Sequence, residues 1–258
     1  MTGRICIIGD VHGKTDMLCA LVDKLALQAA DTLISLGDLV DKGPDPAGTV
    51  RYLRELKARA HFDVVLIEAN HEDRHLRYRR NLTLRPKVAR EQAKSFSELP
   101  ELMAGLEEAD WAFLESAVLF HALPEHGLLL VHGGIPGNMV TFPDTPEEVE
   151  AMPKKQQKSI RQILRTRYIS AEDGRFLTLG KEEEGDPFWA DVYDGRFGHV
   201  VFGHQPWFDG PREFPHATGI DTGAVDGGAL TALVVQADGA RGYVSISNAE
   251  GIIYPAGG

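Results

Sequence analysis

RICIIGDVHG, residues 4–13, begins as an apolar, β-branched run and ends in Gly9-Asp10-Val11-His12-Gly13. The run Arg4 to Ile8 reads as a buried strand. Polar residues set between glycines directly after a strand lie at its carboxyl end, the edge where α/β sheets bind ligands. Glycine there lets the backbone turn sharply and approach a ligand closely. The pattern continues outward. Thr15 to Ala29 carries a helical stripe of Met17, Leu18, Leu21, Val22, Leu25 and Ala29. Thr32 to Leu36 reads as a second strand, Ala47 to Ala60 as a second helix with Pro46 suited to its first turn, and Asp63 to Ile67 as a third strand. This alternation, with short connections, predicts parallel strands and right-handed crossovers.

Residues 72–125 are rich in Arg, Glu and Leu and read as several helical pieces. Leu128 to Val131 returns to a strand. Residues 134–190 are rich in Pro, Gly and charge, with one helix expected near Lys158 to Arg167. From His199 on, the runs His199–Phe202, Thr218–Asp221, Ala229–Val235 and Gly242–Ser247, joined by glycine-containing turns, predict an antiparallel arrangement. The expectation is an α/β fold of two facing sheets with helices outside. It forms a single domain over 1–258, capped by insertions at about 73–125 and 134–190.

The 258 residues are 43% hydrophobic and 25% charged, ordinary values for a chain with a buried core. A net charge of −11 argues against broad binding to nucleic acid or anionic membrane, both of which reward basic patches. It does not exclude a phosphate substrate, because bound divalent ions can make a pocket locally positive. Cys6 and Cys19 read as buried structural thiols, with no disulfide framework or cysteine metal site. Met1 to Ile8 is too short for a signal peptide and no apolar run approaches the ~20 residues of a membrane span, so a cytoplasmic protein is expected.

Four further motifs share the placement of the first. They are Gly37-Asp38-Leu39-Val40-Asp41-Lys42-Gly43-Pro44, Asn70-His71-Glu72, Val131-His132-Gly133-Gly134 and Phe202-Gly203-His204. Each follows an expected strand. Carboxylates, imidazoles and a carboxamide without thiols suit Mn²⁺, Fe or Zn rather than soft metals. Asp10, His12, Asp38, Asn70, His132 and His204 are too many ligands for one site with an open position, and they fit two ions bridged by one carboxylate. Two ions roughly 3.5–4 Å apart clamp the attacking and leaving oxygens of an in-line phosphoryl displacement, and a hydroxide between them is a strong nucleophile at neutral pH.

On these motifs the chain resembles the phosphoprotein phosphatase superfamily of calcineurin-like metallophosphoesterases, whose signature runs GDxHG, GDxVDRG, GNHE, HGG and GH. Ile220-Asp221-Thr222-Gly223 with Gly227-Gly228 is similar to the segment following the last metal histidine in bacterial members. The resemblance implies a four-layer α/β/β/α sandwich with a helical and loop cap. It implies that Asp10 and His12 bind the first metal, that Asp38 bridges, and that Asn70, His132 and His204 bind the second. It makes His71 the donor of a proton to the leaving-group oxygen and Asp41 the carboxylate that orients His71. It implies direct hydrolysis by the hydroxide between the metals, without a phospho-enzyme. The two divalent ions are expected to be Mn²⁺, with Fe, Zn or Co as alternatives.

Two residues depart from the signature. Lys42 stands where the superfamily has Arg, exchanging a bidentate fork for a flexible point charge that is expected still to reach phosphate. Ala69 stands where it has Gly before Asn-His-Glu, and would be strained if that position required φ > 0. A second phosphate-binding arginine is expected from Arg74, or from Arg161, Arg165 or Arg167 between the last two metal histidines, with Arg74 and Arg165 put forward. His61, His75, His121, His126, His199 and His216 lack motif context and read as surface or core residues. Trp111, Trp189 and Trp207 read as core or rim. Lys42-Gly43-Pro44 and the Phe188–Pro206 stretch resemble the branch containing symmetrical diadenosine tetraphosphatases, which favours a dinucleoside polyphosphate substrate. Glu72 leans toward Ser/Thr or Tyr phosphoprotein phosphatases. A non-catalytic metal-binding protein is the third reading, and it leaves His71 and Asp41 without a purpose.

Overall fold

The computed structural model describes residues 3–248. The expected strand–helix alternation forms: β1 (Ile5–Ile8), α1 (Thr15–Leu25), β2 (Thr32–Ser35), α2 (Pro46–Arg59) and β3 (Asp63–Leu66). Four helices follow, α3 (Asn70–Leu84), α4 (Pro86–Ser95), α5 (Glu98–Gly105) and α6 (Glu108–Glu115). The chain then crosses to a second sheet through β4 (His121–Leu123) and β5 (Leu128–Leu130). After α7 (Pro146–Ala151), α8 (Lys154–Ile160) and α9 (Trp189–Val192) it completes that sheet with β6 (His199–Phe202), β7 (Arg212–Phe214) and β8 (Ala217–Gly219). The hairpin β9 (Ala229–Val235) and β10 (Arg241–Ser247) returns to the first sheet.

The sheets have the orders β10-β9-β1-β2-β3 and β4-β5-β6-β8-β7. Both are mixed. β1, β2 and β3 are parallel, as are β5, β6 and β8, while β9 runs antiparallel to β1. The strands after residue 199 therefore do not form one antiparallel sheet. β6 and β8 pair in parallel within the second sheet, and antiparallel pairing among these strands is confined to β7 with β8 and to the β9–β10 hairpin.

The period-2 alternation of strand side chains explains the layering. Ile5 and Ile7 of β1, with Val235 and Leu233 beside them on β9, face Leu128 and Leu130 of β5 and Val201 of β6 in a core between the sheets. Cys6 and Ile8 point the other way, against Leu18, Leu21, Val50 and Leu53 of α1 and α2. On the far side of the second sheet, Leu129, Val200 and Phe202 pack on Ile163, Leu164, Phe188 and Trp189. The central strands such as β1 and β5 thus bury both faces, and the result is two five-stranded mixed sheets flanked by helices. Cys6 is buried as expected, but Cys19 is only half-buried.

The helix expected near Lys158 to Arg167 lies earlier, as α8 followed by a 3₁₀ turn over Arg161–Leu164. Pro153 starts it, and it ends where Ile163 and Leu164 turn into the core. Arg165 is already out of the helix at φ −142°, and the chain continues extended through Tyr168 and Ile169, which bridge to Phe188 and Phe176.

Ala69 caps α3 in ordinary extended geometry, φ −113° and ψ 175°, so the absence of glycine there costs no backbone strain. Its buried methyl packs against Gly37, where an added Cβ would come 2.6 Å from it. Gly37 takes the left-handed conformation, φ +90°, in its place. Replacing Ala69 by Gly should lower stability by about 0.5–1 kcal/mol in urea denaturation, through added freedom of the unfolded chain. A stabilised variant would mean that the site does require a left-handed residue.

Candidate active site

The five motifs meet at the carboxyl ends of β1, β2, β3, β5 and β6, where loops from both sheets converge. The loops are strained. Among the described residues, five of the six non-glycines with positive φ are here: His12, Asp38, Asp41, Lys42 and His204, at +44°, +48°, +67°, +60° and +67°. Side chains other than glycine resist this region, and such residues persist where surrounding contacts hold them. Those contacts are visible. The backbone N–H of Val11 and of His12 donate to the Asp38 carbonyl, at 3.2 and 2.7 Å, tying the first loop to the second. The fully buried Glu72 carboxylate accepts from the backbone N–H of Asp38 and Leu39, at 3.0 and 2.7 Å. Burial, reinforced by the nearby Asp38, pushes the Glu72 carboxyl up to about 8.

Asp38 is the centre. Its Oδ2 lies 3.3 Å from His12 Nε2, 3.4 Å from His132 Nε2 and 3.9 Å from His71 Nε2. The donor atoms fall into two groups that share it, one with His12 and His71 and one with His132 and His204, each within 4.8 Å. Burial opposes charge on Asp38, but His132, His71 and His12 around it hold its carboxyl well below the usual range. His12 Nδ1 donates to the Val40 carbonyl at 2.7 Å and His132 Nδ1 to the Leu36 carbonyl at 2.9 Å. These bonds fix the tautomers and leave the Nε2 lone pairs facing inward, as metal-binding histidines require. The Asn70 carboxamide oxygen comes within 2.8 Å of His132 Nε2. Lone pairs of imidazoles, carboxylates and a carboxamide converging in a buried space are a donor set that cations fit and neutral packing does not.

Asp10 stands outside those two groups. Both of its oxygens accept from the backbone N–H of His204, at 3.1 and 3.0 Å. Gly203 makes this approach possible, since a Cβ there would sit 2.1 Å from Asp10 Oδ1. Burial, with Asp221 and Asp38 alongside, pushes the Asp10 carboxyl well up. Asp221 is itself buried and accepts from the Gly223 backbone N–H at 3.0 Å.

His71, in the first turn of α3, donates from Nδ1 to Asp41 Oδ2 at 2.5 Å, which leaves Nε2 on the Asp38 side. Burial lowers the His71 pKa, and Asp38 and Asp41 work against it. Despite its burial, hydrogen bonds from His71 and His75 hold Asp41 below the usual carboxylate range.

The arginines divide. Arg74 is engaged with Asp41 at 2.7 Å, with Glu98 at 3.1 Å and with the Phe96 ring at 4.7 Å. Arg165 pairs with Asp73, as does Arg161, which also grips Glu68. Both residues put forward for phosphate are thus held by carboxylates. Arg167, on the extended segment beyond the 3₁₀ turn, points inward and donates to the His204 carbonyl at 2.5 Å. Burial lowers its pKa, while Asp10, Asp38 and Asp221 oppose that effect. Lys42 is exposed on the rim, and its charge acts on His12 and Asp221.

His75 is the residue that motif reading passed over. It is fully buried, with Nε2 2.6 Å from Asp41 Oδ1. Its position four residues after His71 is the signal, since residues four apart on a helix share a face.

Residues 3–226 match the family model for calcineurin-like phosphoesterases. Among curated relatives, the chain is 30% identical over 247 residues to the asymmetrical bis(5'-nucleosyl)-tetraphosphatase PrpE of Halalkalibacterium halodurans, covering 88% of each chain. It is 29% identical over 262 residues to a symmetrical bis(5'-nucleosyl)-tetraphosphatase of Pseudomonas putida, covering 87% of each. A crystal structure of a candidate diadenosine tetraphosphatase superposes with a TM-score of 0.66 at 25% identity over 96% of both chains. A Saccharomyces cerevisiae serine/threonine phosphatase shares the fold at a TM-score of 0.60, 15% identity and coverage of 95% of this chain and 80% of that one. No helix among the described residues is long and apolar enough to cross a membrane. A family match over most of the chain thus joins the convergence of motif side chains on Asp38, and the chain belongs to the calcineurin-like phosphoesterase family, as a metallophosphoesterase that hydrolyses phosphoester bonds.

Proposed function

We propose that this protein hydrolyses dinucleoside polyphosphates of the diadenosine tetraphosphate type at a centre of two divalent cations. The observation that carries the centre is the pair of donor groups sharing Asp38. The substrate reading is supported by tetraphosphatase-named relatives aligned over nearly nine-tenths of the chain. Asp10 and His12 would hold one ion, Asn70, His132 and His204 the other, with Asp38 bridging. The donor set suits Mn²⁺ first, and also Fe, Zn or Co. When bound, the ions supply Lewis-acid activation of water and neutralise charge on the phosphoryl group.

The chain's own groups do the rest. His71, held through Nδ1 by Asp41, gives in its protonated form its Nε2 proton to the leaving oxygen as the P–O bond breaks. Water adds to phosphorus in line, and the proton it releases restores His71. Burial of His71 makes its imidazolium the stronger acid and so the readier donor. Arg167 binds phosphate oxygens from within the site and Lys42 from the rim, while Arg74 and Arg165 keep to their carboxylates.

A Mn²⁺-loaded preparation should turn over diadenosine tetraphosphate with higher kcat/KM than a phosphoserine or phosphotyrosine peptide, with chromatography of the products distinguishing two ADP from ATP plus AMP. A strong preference for the peptide would replace this reading with phosphoprotein phosphatase activity. In the same assay Arg167→Ala should lose about tenfold to hundredfold in kcat/KM, the worth of a charge-assisted hydrogen bond, while Arg165→Ala changes it little. The reverse order would return the phosphate contact to Arg165.

A further inference from the structure

Helix α3 carries His71, Arg74 and His75 at spacings of three and four, so all three present one face to the loop after β2. That face meets the carboxylate of Asp41. Oδ2 accepts from His71 Nδ1 at 2.5 Å and from Arg74 Nη2 at 2.7 Å, and Oδ1 accepts from His75 Nε2 at 2.6 Å. Arg74 Nη2 also lies 3.0 Å from His71 Nδ1, and its guanidinium is drawn outward to Glu98 and the Phe96 ring. Two donors therefore crowd Oδ2, whereas Oδ1 has His75.

His75 is wholly buried, and its Nδ1 has no hydrogen-bond partner. A carboxylate only accepts, so the ring proton is on Nε2. A second proton on Nδ1 would bury an unpaired N–H. An aliphatic side chain would fill this space without burying a bare nitrogen. The polar ring thus costs stability, and what the chain gains for it is the bond to Asp41.

We propose that His75 is a positioning residue for phosphoryl transfer. By occupying Oδ1 it stops the Asp41 carboxylate from rotating toward Arg74, and keeps Oδ2 turned to His71, so that His71 Nε2 stays directed at the leaving-group oxygen. This rests on the reading of His71 as proton donor. His75 touches neither substrate nor metal ligand, and its contribution is confined to the step in which the leaving oxygen takes a proton.

That confinement gives a test that a purely structural role would not pass. The Mn²⁺-loaded full chain is assayed on monoesters of rising leaving-group basicity, from p-nitrophenyl phosphate through phenyl phosphate to an alkyl phosphate, as wild type, His71→Asn, His75→Leu and His75→Gln. A nitrophenolate leaves without a proton, whereas an alkoxide needs one. His71→Asn should steepen the dependence of kcat on leaving-group basicity. His75→Leu should steepen it in the same sense, with little loss on p-nitrophenyl phosphate, about tenfold or more on the alkyl ester, and KM and Mn²⁺ affinity within about twofold of wild type. His75→Gln, whose amide can donate to Oδ1, should recover most of the loss. If His71→Asn steepens the dependence and His75→Leu does not, or if His75→Leu loses activity equally on all esters, the role of His75 is wrong and that of His71 stands. If His71→Asn itself leaves the slope unchanged, both fall. Should His75→Leu fail to fold by circular dichroism, His75→Asn, too short to reach Oδ1, takes its place with the same two outcomes.

Discussion

The constraint on which this structure turns is a carboxylate, Asp38, that must stay charged while almost wholly excluded from water. An isolated buried anion is among the most costly groups in a protein and would neutralise itself by taking a proton. Three imidazoles face it instead, and its Oδ1 accepts the backbone N–H of His71 at 3.2 Å. Its own backbone is held by Glu72, whose two oxygens take consecutive N–H groups of the turn. The residue is left no freedom to turn away, and the groups that would bind cations are arranged around it.

The sandwich is what delivers those groups. His12, Asp38 and Asn70 come from the first sheet and His132 and His204 from the second, so the spacing across the site follows from how closely the sheets pack. Ile7, Ile34, Leu36, Leu130 and Val201 fill the space between them just behind the loops. A close-packed core of this kind resists change in volume, and so keeps the two halves of the site in register. The strained backbone at His12, Asp38, Asp41, Lys42 and His204 is concentrated where that packing over-determines the chain.

The half of the fold that the sequence revealed is the half whose strands end in glycine-flanked polar residues. β1, β2, β3, β5 and β6 each combine a buried apolar run with a motif, so strand, edge and site were legible together. β4 and β7 were not, because each has three residues, some exposed, with no alternation to read. The pairing of β6 with β8 escaped for another reason: parallel and antiparallel neighbours look alike when both faces are buried. The candidate metal ligands were legible because their chemistry is local to their motifs. Which of Arg165 and Arg167 turns inward was not, since it depends on where a 3₁₀ turn ends, and that is decided by the burial of Ile163 and Leu164. His75 was within reach of helical spacing from His71, but its meaning required Asp41, 34 residues away.

Whether Asp38 joins two cation sites is tested most directly by anomalous diffraction from crystals grown with Mn²⁺. Two peaks that share Asp38 are expected, one also touching Asp10 and His12 and the other Asn70, His132 and His204. One peak, or two that have no ligand in common, would contradict a bridging Asp38.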